Sequence, residues 1–326
     1  MDKLKYIDLF CGIGGFRTAM SQACLKIGID SECVFSSDID KQAQISYEAN
    51  YGHKPYGDIT KVRESDVPDH DILFAGFPCQ PFSIIGQRKG FEDTRGTLFF
   101  DIARILHHKK PKAFVLENVK QLVGHNKGTT LKVILDSLKE IGYTVYAKVL
   151  NALDYGLPQK RERVIIVGHL EPILFSFPNP IQPFVSLDRI LEPQVDKKYY
   201  ASDRIREKRN KSHVSKHYPS IWHENKSGNI SSYPFSCALR AGASYNYLLV
   251  NGERRLTPRE MLRLQGFPDS FKIVVSDSQL RKQAGNAVPV NVIEAVLLKL
   301  LPFVSESLDE KVYLRESMEK YSVANG

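Results

Sequence analysis

Ile7-Asp8-Leu9-Phe10-Cys11-Gly12-Ile13-Gly14-Gly15-Phe16 reads as a buried strand, a glycine-rich turn and the first residues of a helix. Glycines let a backbone turn sharply and approach a ligand closely. Such a turn serves nucleotide-binding loops, and it also serves plain helix–strand packing. The spacing of Gly12, Gly14 and Gly15, followed by bulky Phe16, departs from the G-x-G-x-x-G of dinucleotide loops. It favours a smaller nucleoside ligand without pyrophosphate. Two later acids strengthen that reading. Asp38 closes the next apolar run, where a carboxylate can hold ribose hydroxyls, and Asp58-Ile59 offers a carboxylate beside an apolar wall for an adenine amino group.

Outward from this turn the pattern repeats. Strands are predicted over 5–10, 33–37, 71–75, 113–116, 143–149 and 164–167, with helices over 16–27, 40–51, 97–107 and 129–141. Strand and helix alternating at this spacing imply βαβ units and a largely parallel sheet, so the fold class is α/β. After Gly168 the pattern dissolves. Seven prolines fall between 171 and 245 with few periodic apolar runs, which marks a second, smaller domain of loops and short strands. Regular structure returns at Thr257-Pro258-Arg259-Glu260, with Thr257 as N-cap, Pro258 at the first helical position and Glu260 closing a capping box. Residues 290–301 form a strongly apolar helix.

Composition narrows the function. The 326 residues carry a net charge of +8. Between Ile181 and Thr257 there are 13 Lys or Arg against 7 Asp or Glu, so a quarter of the chain holds three quarters of the excess. Clustering of this kind marks a polyanion-binding surface, although a solvated face has the same composition. No apolar run approaches the ~20 residues that span a bilayer, and no signal-peptide core precedes the first strand, so a cytoplasmic location is expected. Five cysteines without a CxxC pair predict free thiols and no zinc site. His107-His108 ends a helix, where its dipole favours cations.

The chemistry-bearing residues sit at strand ends. Phe77-Pro78-Cys79-Gln80-Pro81-Phe82-Ser83 presents a thiol after the strand 71–75, Glu117-Asn118 ends another, and Arg161-Glu162-Arg163 precedes a third. The thiolate is the reactive form of cysteine, so Cys79 needs a cationic neighbourhood or a reaction that takes up its proton. Arg161 and Arg163 can supply positive charge and clamp a substrate oxygen. Partial burial would keep Glu117 protonated and able to donate to a ring nitrogen. The plain alternatives are a buried hydrophobic cysteine, a salt-bridged glutamate and a surface arginine pair. No Ser-His-Asp order or Cys-His partnership presents itself.

These stretches together resemble the cytosine-C5 DNA methyltransferases of restriction–modification systems. The resemblance rests on DLFCGIGGF at the start, GDI at 57–59, GFPCQPFS at 76–83, ENV at 117–119, YGLPQKRER at 155–163 and QAGNAVPVNV at 283–292. It implies a Rossmann-like class I methyltransferase domain, mixed and mostly parallel, over 1–180 and 281–326. A loop- and β-rich target-recognition domain with a bridging segment would occupy 181–280.

The resemblance further implies transfer of a methyl group from S-adenosylmethionine to C5 of a cytosine flipped out of duplex DNA, leaving S-adenosylhomocysteine and using no metal. Cys79 would attack C6, Glu117 would hold N3 and the exocyclic amine, and Arg163 with Arg161 would orient the base. The cofactor pocket would draw on Phe10, Gly12, Gly14, Gly15, Asp38, Ile39, Asp58, Ile59, Pro78, Leu98, Asn286 and Val288. The loop 84–97 resembles the family's mobile lid, with Ser83, Arg95 and, in the small domain, Arg240 as DNA contacts. Arg204, Arg206, Arg209 and Asn210 are further candidates for reading bases.

A monomer is expected, with a functional link to a cognate restriction endonuclease. Two features depart from the family pattern. Asp38 stands where a glutamate is usual, and Cys237-Ala238-Leu239-Arg240 lacks the usual threonine before the recognition loop. A tRNA-directed methyltransferase sharing these motifs and a catalytically silent DNA-binding regulator are the competing readings.

Overall fold

The computed structural model describes residues 3–78, 98–181 and 184–305. Cys79, Ser83, Arg95 and the expected lid lie outside the described residues.

Strands β1 (Leu4–Leu9), β2 (Ser31–Ser37), β3 (Ile72–Gly76), β4 (Ala113–Val119), β5 (Thr144–Asn151) and β7 (Glu162–His169) form one sheet in the order β2-β1-β3-β4-β7-β5. The two-residue β6 (Gln159–Lys160) leads into β7. Neighbours among β1 to β4 run parallel, as the alternation predicts. β7 runs antiparallel to both β4 and β5, which makes the sheet mixed.

The strands bury both faces. Tyr6, Ile72, Phe74, Val115, Ile165 and Val167 face one core, and Ile7, Leu9, Leu73, Ala75, Leu116 and Ile166 face the other. Side chains alternate across a strand with period two, so a sheet covered on both sides needs the near-continuous apolar runs that this sequence has. Helices α1 (Gly15–Ile27) and α8 (Val290–Leu300) cover the first face. Helices α3 (Leu98–Lys109) and α4 (Thr129–Glu140) cover the second. Helix α2 (Lys41–Tyr51) flanks the β2 edge, capped by Asp40, whose carboxylate accepts from Gln42 N and Ala43 N.

The smaller module contains α5 (Asp203–Ser212), β8 (Ile221–Glu224), β9 (Ile230–Tyr233), β10 (Ser236–Cys237) and β11 (Leu248–Val250). β11-β8-β9 is an antiparallel sheet, and β10 pairs in parallel with β6, which stitches the module to the main domain. Helix α5 is absent from the sequence expectations because DRIREKRNKS has no apolar stripe to reveal it; its fully buried residue is Arg209.

Helices α6 (Pro258–Leu264) and α7 (Asp277–Asn286) return the chain to the sheet. The expected capping box is present: Thr257 Oγ1 accepts from Glu260 N at 3.1 Å and Glu260 Oε2 from Thr257 N at 2.8 Å. The same buried carboxylate takes two hydrogen bonds from Arg254, each 2.8 Å. The helical stretch Asp277–Phe303 is long and apolar enough to cross a membrane, yet 72% of its 18-residue apolar window is buried inside the fold, as expected of a core element.

The glycine turn is shaped by packing. Gly14 caps α1 at φ 81°, and a Cβ there would lie 2.3 Å from the Tyr51 ring. Left-handed backbone and a blocked side-chain position act together, so Gly14→Ala is expected to lower the unfolding free energy by about 2 kcal/mol. Urea denaturation measures this; a loss below about 0.5 kcal/mol, the scale of a neutral surface change, would show that Tyr51 does not brace the turn.

Candidate active site

The carboxyl ends of β1, β3 and β4 open on one side of the sheet, where α/β folds place ligands. There Phe10 to Ile13, Gly15, Phe16, Asp38 to Asp40, Gly76 to Pro78, Leu98, Glu117 to Val119, Arg161, Arg163, Gln283 and Gly285 to Val288 line a cleft of about 400 Å³. The structure thus brings together Glu117, Arg161 and Arg163 with Phe10, Gly12, Gly15, Asp38, Ile39, Pro78, Leu98, Asn286 and Val288.

At the chemical end, Glu117 sits near the end of β4, beside Gly76 of β3 and Ile165 of β7. Its Oε1 is 2.8 Å from Arg163 Nε, and both side chains are almost covered. Burial pushes the Glu117 carboxyl above the ordinary glutamate range, while Arg163 and then Arg161 pull it back. Desolvation wins because the carboxylate has left water. The group therefore takes up a proton more readily than an exposed glutamate and still has a cation fixing one oxygen.

Asn118, which the sequence reading noticed only as part of a motif, sets the chain before the thiol. Its Nδ2 donates to Phe77 O at 3.0 Å and its Oδ1 accepts from Val119 N at 2.8 Å. This buried amide locks the end of β4 to the turn leading to Pro78, the last described residue before Cys79.

Arg161 requires a correction. The sequence reading makes it a second clamp on the substrate, but it is buried to 1% exposure and its terminal nitrogens are committed. Nη1 donates to Leu239 O at 3.0 Å, and Nη2 donates to Gly285 O at 3.0 Å and Ala287 O at 2.7 Å. Burial, then the neighbouring Arg163, pulls its guanidinium down to about 9. Arg161 is a positioning residue that ties the cleft floor to the small module.

At the nucleoside end, Asp38 accepts from Gly12 N and from Asp40 N, both at 2.8 Å, and burial pushes its carboxyl upward. Each oxygen accepts one backbone bond and keeps further acceptor capacity, and Asp38 lines the cleft. Ile39 stands 72% exposed at the rim. Three expected pocket residues are not part of this lining. Gly14 is occupied with Tyr51, the Ile59 side chain is buried in the core under α3, and Asp58 caps the short turn 59–61, accepting from Thr60 N and Oγ1. Sequence reasoning also missed Gln283, which lines the cleft and accepts from Ser46 Oγ at 2.9 Å.

Beneath the loop, Asp8 is fully buried with no hydrogen-bond partner for either oxygen among the described residues; burial holds its carboxyl well above the usual range.

The candidate base readers separate. Arg209 is 1% exposed and donates to Glu224 Oε2 at 2.7 Å and to Asn246 O, so it holds α5 to the module. Arg206 is paired with Glu253 at 2.9 Å and with Asp203. Arg204, Asn210 and Arg240 are exposed. Arg240 lies over the Tyr247 ring, 4.9 Å from its centroid, and its backbone N–H bonds to the same tyrosine's hydroxyl. Among the described residues no cluster of His, Cys, Asp or Glu has metal-binding geometry.

Comparison with known proteins identifies the family. The family described as C-5 cytosine-specific DNA methylase matches residues 4–301. The Type II methyltransferase M.NgoBI of Neisseria gonorrhoeae is 56% identical over 318 residues, 96% of this chain and 98% of the relative. Type II methyltransferase M.HaeII of Haemophilus aegyptius is 58% identical over 300 residues, 91% of this chain and 92% of the relative. Among solved structures, the Dnmt2 methyltransferase of S. pombe shares the fold with TM-score 0.71 at 23% identity, covering 92% of this chain and 98% of that one.

The raised Glu117 carboxyl has a thermodynamic consequence. A folded-state value above the unfolded one means the fold prefers the proton, so this group's contribution is full at low pH and is lost as pH rises through the raised value. Glu117→Gln does not titrate. Its stability relative to the parent chain should therefore be flat below the ordinary glutamate range and move in the variant's favour between that range and the raised value. Urea unfolding across a pH series tests this, and a difference that is flat with pH would contradict it.

Proposed function

Because the chain belongs to the C-5 cytosine-specific DNA methylase family, it methylates cytosine C5 in DNA, and we propose how its residues carry that out. The observation that supports the reading most directly is a buried, easily protonated Glu117 held by Arg163 in the same cleft as the glycine turn and Asp38.

The cytosine must leave the stack to be reached. Cys79, next in the chain after the cleft residue Pro78, adds as thiolate to C6. Glu117 meets the N3 edge and hydrogen-bonds or protonates N3 as charge develops there, while Arg163 fixes the carboxylate and faces the O2 side. With electron density pushed onto C5, that carbon takes the methyl group. A base then removes the C5 proton, water being as suited as any side chain, and elimination returns Cys79.

The cleft fits S-adenosylmethionine. Phe10, Ile39, Leu98 and Val288 give apolar walls, the half-buried Asp38 would offer carboxylate acceptors for ribose hydroxyls, and Gly12 and Gly15 of the turn line the same cleft. When bound, it supplies a sulfonium-activated methyl group. Asn286 and Pro78 border the same space. Asp38 reaches less far than a glutamate would, which modestly weakens its hold on the ribose.

We assign residues 181–280 to a target-recognition domain plus a bridging segment, with Arg240 as an exposed DNA contact and Ser83 and Arg95 as phosphate contacts. Two relatives above 55% identity are both Type II methyltransferases. This supports a place in a restriction–modification system; we infer further an endonuclease of the same specificity as its functional counterpart and a monomer acting on duplex DNA.

A duplex with 5-fluorocytosine at the methylated position keeps fluorine where the proton must leave, so it should trap the enzyme covalently. Cys79→Ser should abolish both trapping and methylation and spare duplex binding. Trapping that survives in the serine variant would overturn the assignment of Cys79. Methylation of tRNA in place of duplex DNA would overturn the choice of substrate.

A further inference from the structure

Helix α7 touches both halves of the reaction with opposite sides. At about 100° per residue, Asp277, Arg281 and Gly285 fall on one stripe, and Lys282, Gln283 and Asn286 fall on another about 150° away. The first stripe holds the small module. Asp277 Oδ2 accepts from Tyr199 Oη at 2.9 Å and lies 3.0 Å from Lys198 Nζ. Arg281 Nη1 donates to Ala243 O at 2.9 Å and Ser244 O at 3.2 Å, and its guanidinium stacks 4.9 Å from the Tyr245 ring centroid. Gly285 lies against the Arg240–Ala241 backbone so closely that a Cβ would come within 2.4 Å of Ala241 N.

The second stripe holds the cofactor side. Lys282 Nζ is 2.7 Å from Asp40 Oδ2, and Asp40 both caps α2 and lines the cleft next to Asp38. Gln283 is bound by Ser46 of α2, and Asn286 borders the cleft.

We propose that α7 couples target recognition to cofactor binding, with Arg281 as the positioning residue that fixes the 240–245 segment to the helix. One planar guanidinium spanning two successive carbonyls and an aromatic face sets position and orientation together, which a flexible ammonium cannot do. Among the described residues Arg281 has no carboxylate partner, so its charge is spent on that segment. Displacement of 240–245 by the correct duplex then moves a rigid bar whose far side carries the Asp38–Asp40 wall. Coupling is reciprocal: whatever factor the duplex adds to cofactor affinity, the cofactor adds to duplex affinity.

The proposal rests on the functional reading above, and the test separates the two. Calorimetric titration of the full chain with S-adenosylhomocysteine is run alone and with a duplex whose methylated cytosine has first been mapped. The parent chain should bind the probe about five-fold or more tighter with the duplex present, the low end of typical site coupling. Arg281→Ala should leave the affinity for the probe alone within about two-fold and bring the duplex-to-free ratio near one. Arg281→Lys, which retains a donor, should restore part of the ratio, and it decides the matter if the alanine variant fails to fold. An unchanged ratio in the folded variants, or a ratio of one in the parent chain, overturns the coupling. Failure of the parent chain to bind the probe or the duplex at all overturns the functional reading instead.

Discussion

The structure depends on one buried cation. Arg161 lies between the main sheet and the small module and satisfies three carbonyl oxygens, of Leu239, Gly285 and Ala287, that belong to two distant segments. Hydrogen bonds from a charged donor are worth about 1.5–3 kcal/mol each, and a buried carbonyl left without a donor costs a similar amount. Those segments are the entry to 240–245 and the turn between α7 and α8. Gln159 repeats the arrangement two residues earlier, accepting from Leu239 N at 3.0 Å and donating to Leu264 O at 2.8 Å. The short pairing of β6 with β10 lies in the same strip. This narrow polar seam runs beside an apolar cluster in which Leu239, Tyr247 and Leu248 meet Met261, Leu264 and Ala284, and its hydrogen-bond directionality makes the placement of the small module against the cleft specific.

Arg161 and Arg163 show how neighbours of identical chemistry acquire different tasks. Arg161 faces carbonyls, which hold a cation without neutralising it, and burial pulls its guanidinium down. Arg163 faces the Glu117 carboxylate and remains part of the cleft wall. The pair acts jointly on Glu117, since both cations oppose the rise that burial imposes. A carboxyl balanced in this way can hydrogen-bond a pyrimidine in either protonation state, and as the neutral acid it can pass its proton to a ring nitrogen that becomes electron-rich.

Much of the main domain is legible in the sequence because burial on both sheet faces writes itself as apolar runs. The strand expected at 71–75 is Ile72–Gly76, and the helix expected at 129–141 is Thr129–Glu140. The capping box at Thr257 is legible because it depends on local spacing alone. What stays hidden is partnership at long range. Arg209 looks like a surface base reader until Glu224 and Asn246 enclose it, and Gly14 looks like a ligand turn until Tyr51 takes its side-chain space. Asp58 and Ile59 are adjacent to the right motif, yet one caps a turn and the other enters the core. Side-chain chemistry can be read from a residue's identity, but the acceptor that commits it lies far along the chain, 126 positions away for Arg161 and 242 for Lys282.

The same distinction governs the basic excess of the small module. Lys198, Arg206, Arg209 and Arg254 are engaged in ion pairs with Asp277, Glu253, Glu224 and Glu260, and the last of these pairs is almost wholly buried. A buried pair contributes little field at the surface because its charges cancel at short range, so these cations give the module order and not affinity for a polyanion. Two of those four acids, Asp277 and Glu260, lie outside 181–257, so pairing draws down part of that stretch's basic excess. The basic charge left exposed includes Arg240. Salt screens such exposed charge within about 10 Å at moderate ionic strength. Long-range attraction to DNA then falls with added salt while the ion-paired interior, and the placement of the module it secures, is left largely intact.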